Sequence, residues 1–171
     1  LRSLRYNNRT NNHLTASQDW LGKLLNGVKR RLKNTRLRDL AGGISDLVNL
    51  RELHGMNNRL FLLPDNIGNL HDLRKLDLQG NDLFILPESI GSLKRLWSLN
   101  LRNNDLGSLP DSIGELTPLV ELDLRANNLN SLPSSIAQLL NLQKLDLRWN
   151  AFVSFPPWLD ELEARGCLVF K

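Results

Sequence analysis

Three arginines, Arg102, Arg125 and Arg148, recur every 23 residues, and two places before each stands a carboxylate or its amide: Asn100, Asp123 and Asp146. A guanidinium offers a rigid fork of donors that grips a carboxylate at two points, so such a row suits recognition of an acidic partner. A second reading stands beside it. Arranged on neighbouring strands, the two rows would alternate in sign and neutralise each other as a surface lattice. Trp149 follows the last arginine and Trp97 lies further back. Arginines and aromatics are the usual anchors of an interface. The bland alternative has Trp97 packing on Arg74 and Val120, and Trp149 covering the C-terminal end.

Catalysis has no comparable constellation. His13, His54 and His71 are far apart, there is no glycine-rich phosphate loop, and no metal-ligand spacing occurs. Cys167 is the single cysteine, which excludes an intramolecular disulfide and a cysteine zinc cluster. It reads as a small apolar residue of the C-terminal cap. The expectation is a protein that is not an enzyme and carries no cofactor.

The elements that would position the arginines follow from an internal repeat. Units starting at Leu50, Leu73, Leu96, Leu119 and Leu142 read L-x-x-L-x-L-x-x-N-x-L-x-x-L-P-x-x-I-G-x-L-x-x with few departures. A fixed period of this length predicts a solenoid, in which each unit buries its apolar face only by stacking on neighbours. Leu76 and Leu78, alternating with Lys75, Asp77 and Gln79, have the period of a half-buried strand. Stacked, these strands form a parallel sheet. The asparagines at 58, 81, 104, 127 and 150 fall where the chain leaves the strand, and a buried amide there can pair backbone groups that the turn leaves over. Leu83, Leu86, Ile90 and Leu93 suit a short helical or 3₁₀ return path, and Pro87 and its counterparts sit where no amide donor is needed.

On these motifs the chain resembles intracellular leucine-rich repeat proteins of the 23-residue class with LPxxIGxL return segments, a group that includes Ras-binding scaffolds, plant proteins and bacterial effectors. Its ending, KLDLRWNAFVSFPPWLDELEARGCLVFK, is similar to the last repeat of many bacterial members. The resemblance implies an α/β solenoid with a curved parallel sheet on the concave face and short helical or 3₁₀ segments on the convex face. It also implies binding of a protein partner. The letters that the repeat leaves free are then the candidate contacts: His54, Met56, Asn100, Arg102, Asp123, Arg125, Asp146, Arg148 and Trp149 on the concave face. Beyond the asparagine turn, Phe61, Leu62, Phe84 and Ile85 form a second candidate patch, unless a neighbouring segment covers it.

The expected division is an N-terminal segment with a capping helix over 1–35, a degenerate half repeat over 36–49, five repeats over 50–164 and a capping strand over 165–171. Trp20, Leu21, Leu24, Leu25, Val28 and Leu32 lie on one helical stripe, predicting an amphipathic helix over 16–33 that roofs the first repeat. A competing reading makes 27–49 a degenerate repeat with Gly27 and Arg30 where leucine belongs. The opening LRSLRYNN has the shape of a strand half and is left open. At the other end Leu168 and Phe170 are expected at the inward strand positions of a sixth unit, with Trp158, Leu159 and Leu162 covering the core.

Charge is uneven. Residues 1–49 hold 10 Lys and Arg against 3 Asp and Glu, whereas residues 50–171 hold 12 against 15. The run Lys29, Arg30, Arg31, Lys33, Arg36, Arg38 gives the alternative function, an electrostatic anchor to anionic lipid or nucleic acid. No aromatic platform accompanies it, so specific nucleic-acid recognition is not expected. No apolar run reaches the roughly 18 residues of a membrane span. The chain begins at Leu1 without a signal-peptide pattern, which reads as a processed or excised piece. A lone cysteine fits a reducing intracellular home, or a host cytoplasm for a delivered effector, and Asn8-Arg9-Thr10 argues weakly the other way. A monomer is expected.

Overall fold

The computed structural model describes residues 6–8, 28–40 and 42–171. Among the described residues eight short parallel strands pair in strict chain order: β1 (Tyr6–Asn8), β2 (Lys29–Arg31), β3 (Glu52–His54), β4 (Lys75–Asp77), β5 (Ser98–Asn100), β6 (Glu121–Asp123), β7 (Lys144–Asp146) and β8 (Leu168–Phe170). Between them the chain returns through 3₁₀ turns η1 (Gly42–Asp46), η2 (Asp65–Asn69), η3 (Glu88–Ser92), η4 (Asp111–Glu115) and η5 (Ser134–Gln138), and last through helix α1 (Trp158–Ala164). The sheet forms one wall of the solenoid and the 3₁₀ turns the other.

The leucines lie between the walls. Leu76, Leu78, Leu83, Ile90, Leu93 and Leu96 are all fully buried, and each repeat adds an equivalent layer to one continuous core. Burying a leucine side chain contributes about 1.5–3 kcal/mol. No unit retains that gain alone, which is why the units stack.

Two polar devices hold the layers in register. The first is the asparagine column. Asn104 donates from Nδ2 to Leu101 O of its own unit (2.8 Å) and to Leu78 O of the preceding one (3.1 Å), and its Oδ1 accepts from Leu83 N (3.1 Å). Asn58, Asn81, Asn127 and Asn150 repeat this bridge. The amide expected to serve its own turn therefore also ties each unit to the one before. The second device is steric. A Cβ on Gly68, Gly91 or Gly114 would fall within 2.4–2.5 Å of the carbonyl oxygen of Ser89, Ser112 or Ser135 in the next unit. Glycine there lets successive 3₁₀ turns nest.

The N-terminal expectation needs correction. Lys29–Arg31 are not the end of a helix over 16–33 but strand β2, with Arg30 opposite Leu53. Leu32, Leu37, Leu40, Ile44 and Leu47 enter the core at their repeat positions. Thr35 stands in the asparagine column and is fully buried; its hydroxyl donates to Leu32 O at 3.1 Å and meets Asn58 Oδ1 at 2.8 Å. Residues 28–49 are thus a whole unit, not half of one. The free edge of β3 and the core beneath outweigh the helical spacing of Val28 and Leu32. Arg30 fills the position of a core leucine at 1% exposure, and burial lowers its pKa. Tyr6–Asn8 then pair with β2, so the short opening motif contains a strand. Residues 16–27 of the expected helix lie outside the described residues.

The C-terminal strand is also corrected. Leu168 pairs with Lys144, Val169 with Leu145 and Phe170 with Asp146, a spacing of 24 where the preceding units have 23. The α-helical return of α1 replaces a 3₁₀ turn and adds one residue. A shift of one residue exchanges the faces of a strand. Val169 turns inward, and Leu168 and Phe170 join the outer face. Leu159 and Leu162 of α1 are buried against the core, as is Cys167 at 5% exposure, where burial pushes the thiol pKa up.

Candidate functional site on the sheet face

Strand pairing sets Glu52, Lys75, Ser98, Glu121 and Lys144 in one row and His54, Asp77, Asn100, Asp123 and Asp146 in the next. The third row lies just past the strand ends, where the ladder continues. Gly80 N donates to Arg102 O (2.9 Å), Asn103 N to Arg125 O (2.8 Å) and Ala126 N to Arg148 O (2.9 Å). Met56 holds the matching place in its own unit, accepting from Asn34 N at 3.1 Å.

The Asp/Asn row has a local task. The side-chain oxygens of Asn100, Asp123 and Asp146 accept from the amide two residues on, at 3.1, 3.1 and 3.3 Å. These are Asx turns that close each strand exit. The Asp-x-Arg spacing already carried that signal. His54, first in the row, instead meets Glu52 Oε2 through Nε2 at 2.9 Å and lies 4.0 Å from Asp77. Hydrogen bonds from Lys29 and then His54 hold the Glu52 carboxyl below its usual pKa.

The arginines divide into two kinds. Arg148 grips Asp146 with its fork, Nε to Oδ1 at 3.0 Å and Nη2 to Oδ2 at 2.5 Å. Burial alone would raise the carboxyl pKa of Asp146. The hydrogen bonds and charge of Arg148 outweigh it and hold the pKa below the ordinary value. Self-neutralisation therefore operates on β7. No such bridge forms at Arg102 or Arg125, although the charge of Arg125 also helps to hold the Asp146 pKa down. The side chains of Arg102 and Arg125 make no hydrogen bond or ion pair among the described residues, and Arg125 Nε is buried without an acceptor.

Trp149 does not cover the C-terminal end; it is 69% exposed, with the guanidinium of Arg125 over its ring at 5.4 Å. Its backbone is left-handed, φ 60°, as are Asn34, Asn57, Gly80, Asn103 and Ala126 at the same point of their units. The turn off the sheet requires that conformation, which asparagine and glycine adopt readily. A tryptophan there costs about 1–3 kcal/mol, and an exposed cation–π contact returns about 0.5–1 kcal/mol. In the free chain the strain is incompletely offset.

Phe170 is the residue that sequence reasoning missed. The altered register of β8 brings it beneath Arg148, 4.8 Å from the guanidinium carbon, and 6.0 Å from Lys144 Nζ. Trp97 is 40% exposed under Lys75, 5.7 Å from its ammonium. Between Lys75 and Lys144 the short side chains of Ser98 and Asn100 leave a depression of about 190 Å³, bordered by Asp77, Glu121 and Asp123. Away from the sheet face, Phe61, Leu62, Phe84 and Ile85 are all exposed, between 39% and 52%.

Models of the leucine-rich repeat match residues 72–93 and 94–152. A leucine-rich repeat protein of Leptospira interrogans superposes with a TM-score of 0.89 at 34% identity, over 96% of this chain and 41% of that one. The leucine-rich repeat domain of the type III effector XopL gives 0.68 at 26% identity, over 92% of this chain and 65% of that one. The chain therefore spans less than two thirds of either neighbour. A search of curated proteins found no match. With the stacked strands, the asparagine bridges and the leucine core, these likenesses identify the chain as a leucine-rich repeat protein.

Proposed function

We propose that the chain is a protein-interaction module that binds a partner on the concave sheet face, and that it selects the target for a larger effector or signalling scaffold. The likeness to the leucine-rich repeat domain of a type III effector supports the second part. One observation supports the first: Trp149 is held exposed in a strained backbone beside Arg125, whose guanidinium makes no hydrogen bond or ion pair among the described residues. The eight paired strands present a face roughly 35 Å wide across the strands, ample for the about 800 Å² per partner of a standard interface. Delivery into a host cytoplasm belongs with the effector reading. Among the described residues no helix is long and apolar enough to cross a membrane.

The electrostatic anchor has less support. Of its basic run, Lys29 is engaged by Glu52 and Arg30 is buried, both on a strand rather than on a solvated helix. Pull-down from host-cell lysate separates the readings, using wild type, Trp149→Ala and Phe61→Ser/Phe84→Ser at low and physiological salt. A partner lost only with Trp149→Ala and retained at physiological salt is expected. Loss only in the phenylalanine variant would move the site to the loop side. Loss of all binding with salt would favour the anchor.

A further inference from the structure

We infer that the C-terminal end of the concave face receives an acidic segment of a protein partner, its carboxylates held between Arg102 and Arg125 and an adjacent apolar side chain seated on Trp149; this rests on the concave-face reading above. Arg102 and Arg125 leave neighbouring paired strands, β5 and β6, about 5 Å apart. Each carries a full charge and a donor fork that meets no acceptor among the described residues. Arg125 leans over Trp149, so a carboxylate seated between the two strand ends is met by the fork of Arg102 on one side and by the charge of Arg125 on the other. The third arginine is excluded from this role because Asp146 already occupies its fork.

The surroundings narrow the ligand further. Glu121 and Asp123 share the face, so a uniformly charged polyanion such as nucleic acid or an anionic bilayer would be repelled one row away. A protein chain can place acidic groups on the arginines and other side chains over Glu121 and Asp123. Trp149 offers an apolar surface already fixed in position by its backbone and by Arg125, so little freedom is lost when a partner covers it.

The test is selection of a random dodecapeptide library on the wild-type chain, followed by fluorescence anisotropy with the enriched peptides made synthetically. Enriched peptides should carry Asp or Glu beside an aromatic or aliphatic residue. Their affinity should fall at least about tenfold in Arg102→Gln/Arg125→Gln, and also in Arg102→Gln alone, which leaves the partly buried Arg125 in place. Phe61→Ser/Phe84→Ser should leave it unchanged. Peptides without acidic residues, sensitive to Trp149→Ala but not to the arginine variants, would overturn the acidic partner and leave the concave face standing. Peptides indifferent to all three concave substitutions would overturn both. An empty selection, or arginine-dependent binding to phosphatidylserine vesicles in place of peptides, would also overturn the proposal.

Discussion

The guanidinium of Arg125 lies over the indole of Trp149 at 5.4 Å, and the two residues come from adjacent units, one just past β6 and the other just past β7. The contact joins an arginine that satisfies no acceptor with a tryptophan whose backbone disfavours it.

Replacing Trp149 with asparagine, the residue used at Asn57 and Asn103 in the same left-handed turn, should therefore stabilise the protein while weakening partner binding. The expected gain is about 1 kcal/mol. Urea unfolding measures it. A loss of stability would mean that the indole packs more firmly than its exposure indicates.

Asn104→Ala should loosen the joint between two units. It strands the buried Leu83 N, whereas Leu78 O and Leu101 O each lose one of two donors and keep the bond from Asn81 or Asn127. With one buried N–H left unpaired, a loss of about 1–3 kcal/mol is expected. Hydrogen exchange should show the opening localised to the two units that the asparagine joins.

The glycines give a paired test. Gly91→Ala would drive a Cβ to 2.5 Å from Ser112 O and should destabilise by about 1–3 kcal/mol. Gly107→Ala meets nothing within 4 Å and should be neutral or stabilising by up to about 1 kcal/mol. Equal effects at the two sites would refute the nesting of successive 3₁₀ turns.

Acid should weaken the C-terminal units through Asp146. Its folded pKa lies below its ordinary value, so the stability it supplies is complete above that value, near 3.8. That stability is lost as pH falls towards the lower folded pKa. Asp146→Asn should flatten this part of the acid limb and leave Arg148 without its anionic partner. An unchanged acid limb in the variant would remove the ion pair from the account.

Much of the fold was legible because a repeat states its own periodicity. The alternating leucines, the asparagine column and the proline-led returns each follow from local chemistry, and repetition turned weak local signals into a strong one. The ends were harder to read, since that repetition stops there. At Lys29–Arg31 a helical stripe and a degenerate strand competed on local terms, and the open edge of β3 decided between them. At β8 the choice of α1 over a 3₁₀ turn added one residue, and Phe170 changed faces.

The sequence by itself determined the solenoid, the stacking of the free positions into rows and the placing of three arginines in one of them. Only the tertiary structure decided which arginine closes a salt bridge on its own chain. Arg148 and Asp146 are spaced as Arg125 and Asp123 are, yet one pair closes a bidentate bridge and the other does not. The physical reason is that a fork turns to whatever lies across the strands: Phe170 backs Arg148 from one side, and Trp149 draws Arg125 away on the other. Spacing along a chain specifies a row, but the neighbours in the folded sheet set where each charge in it points.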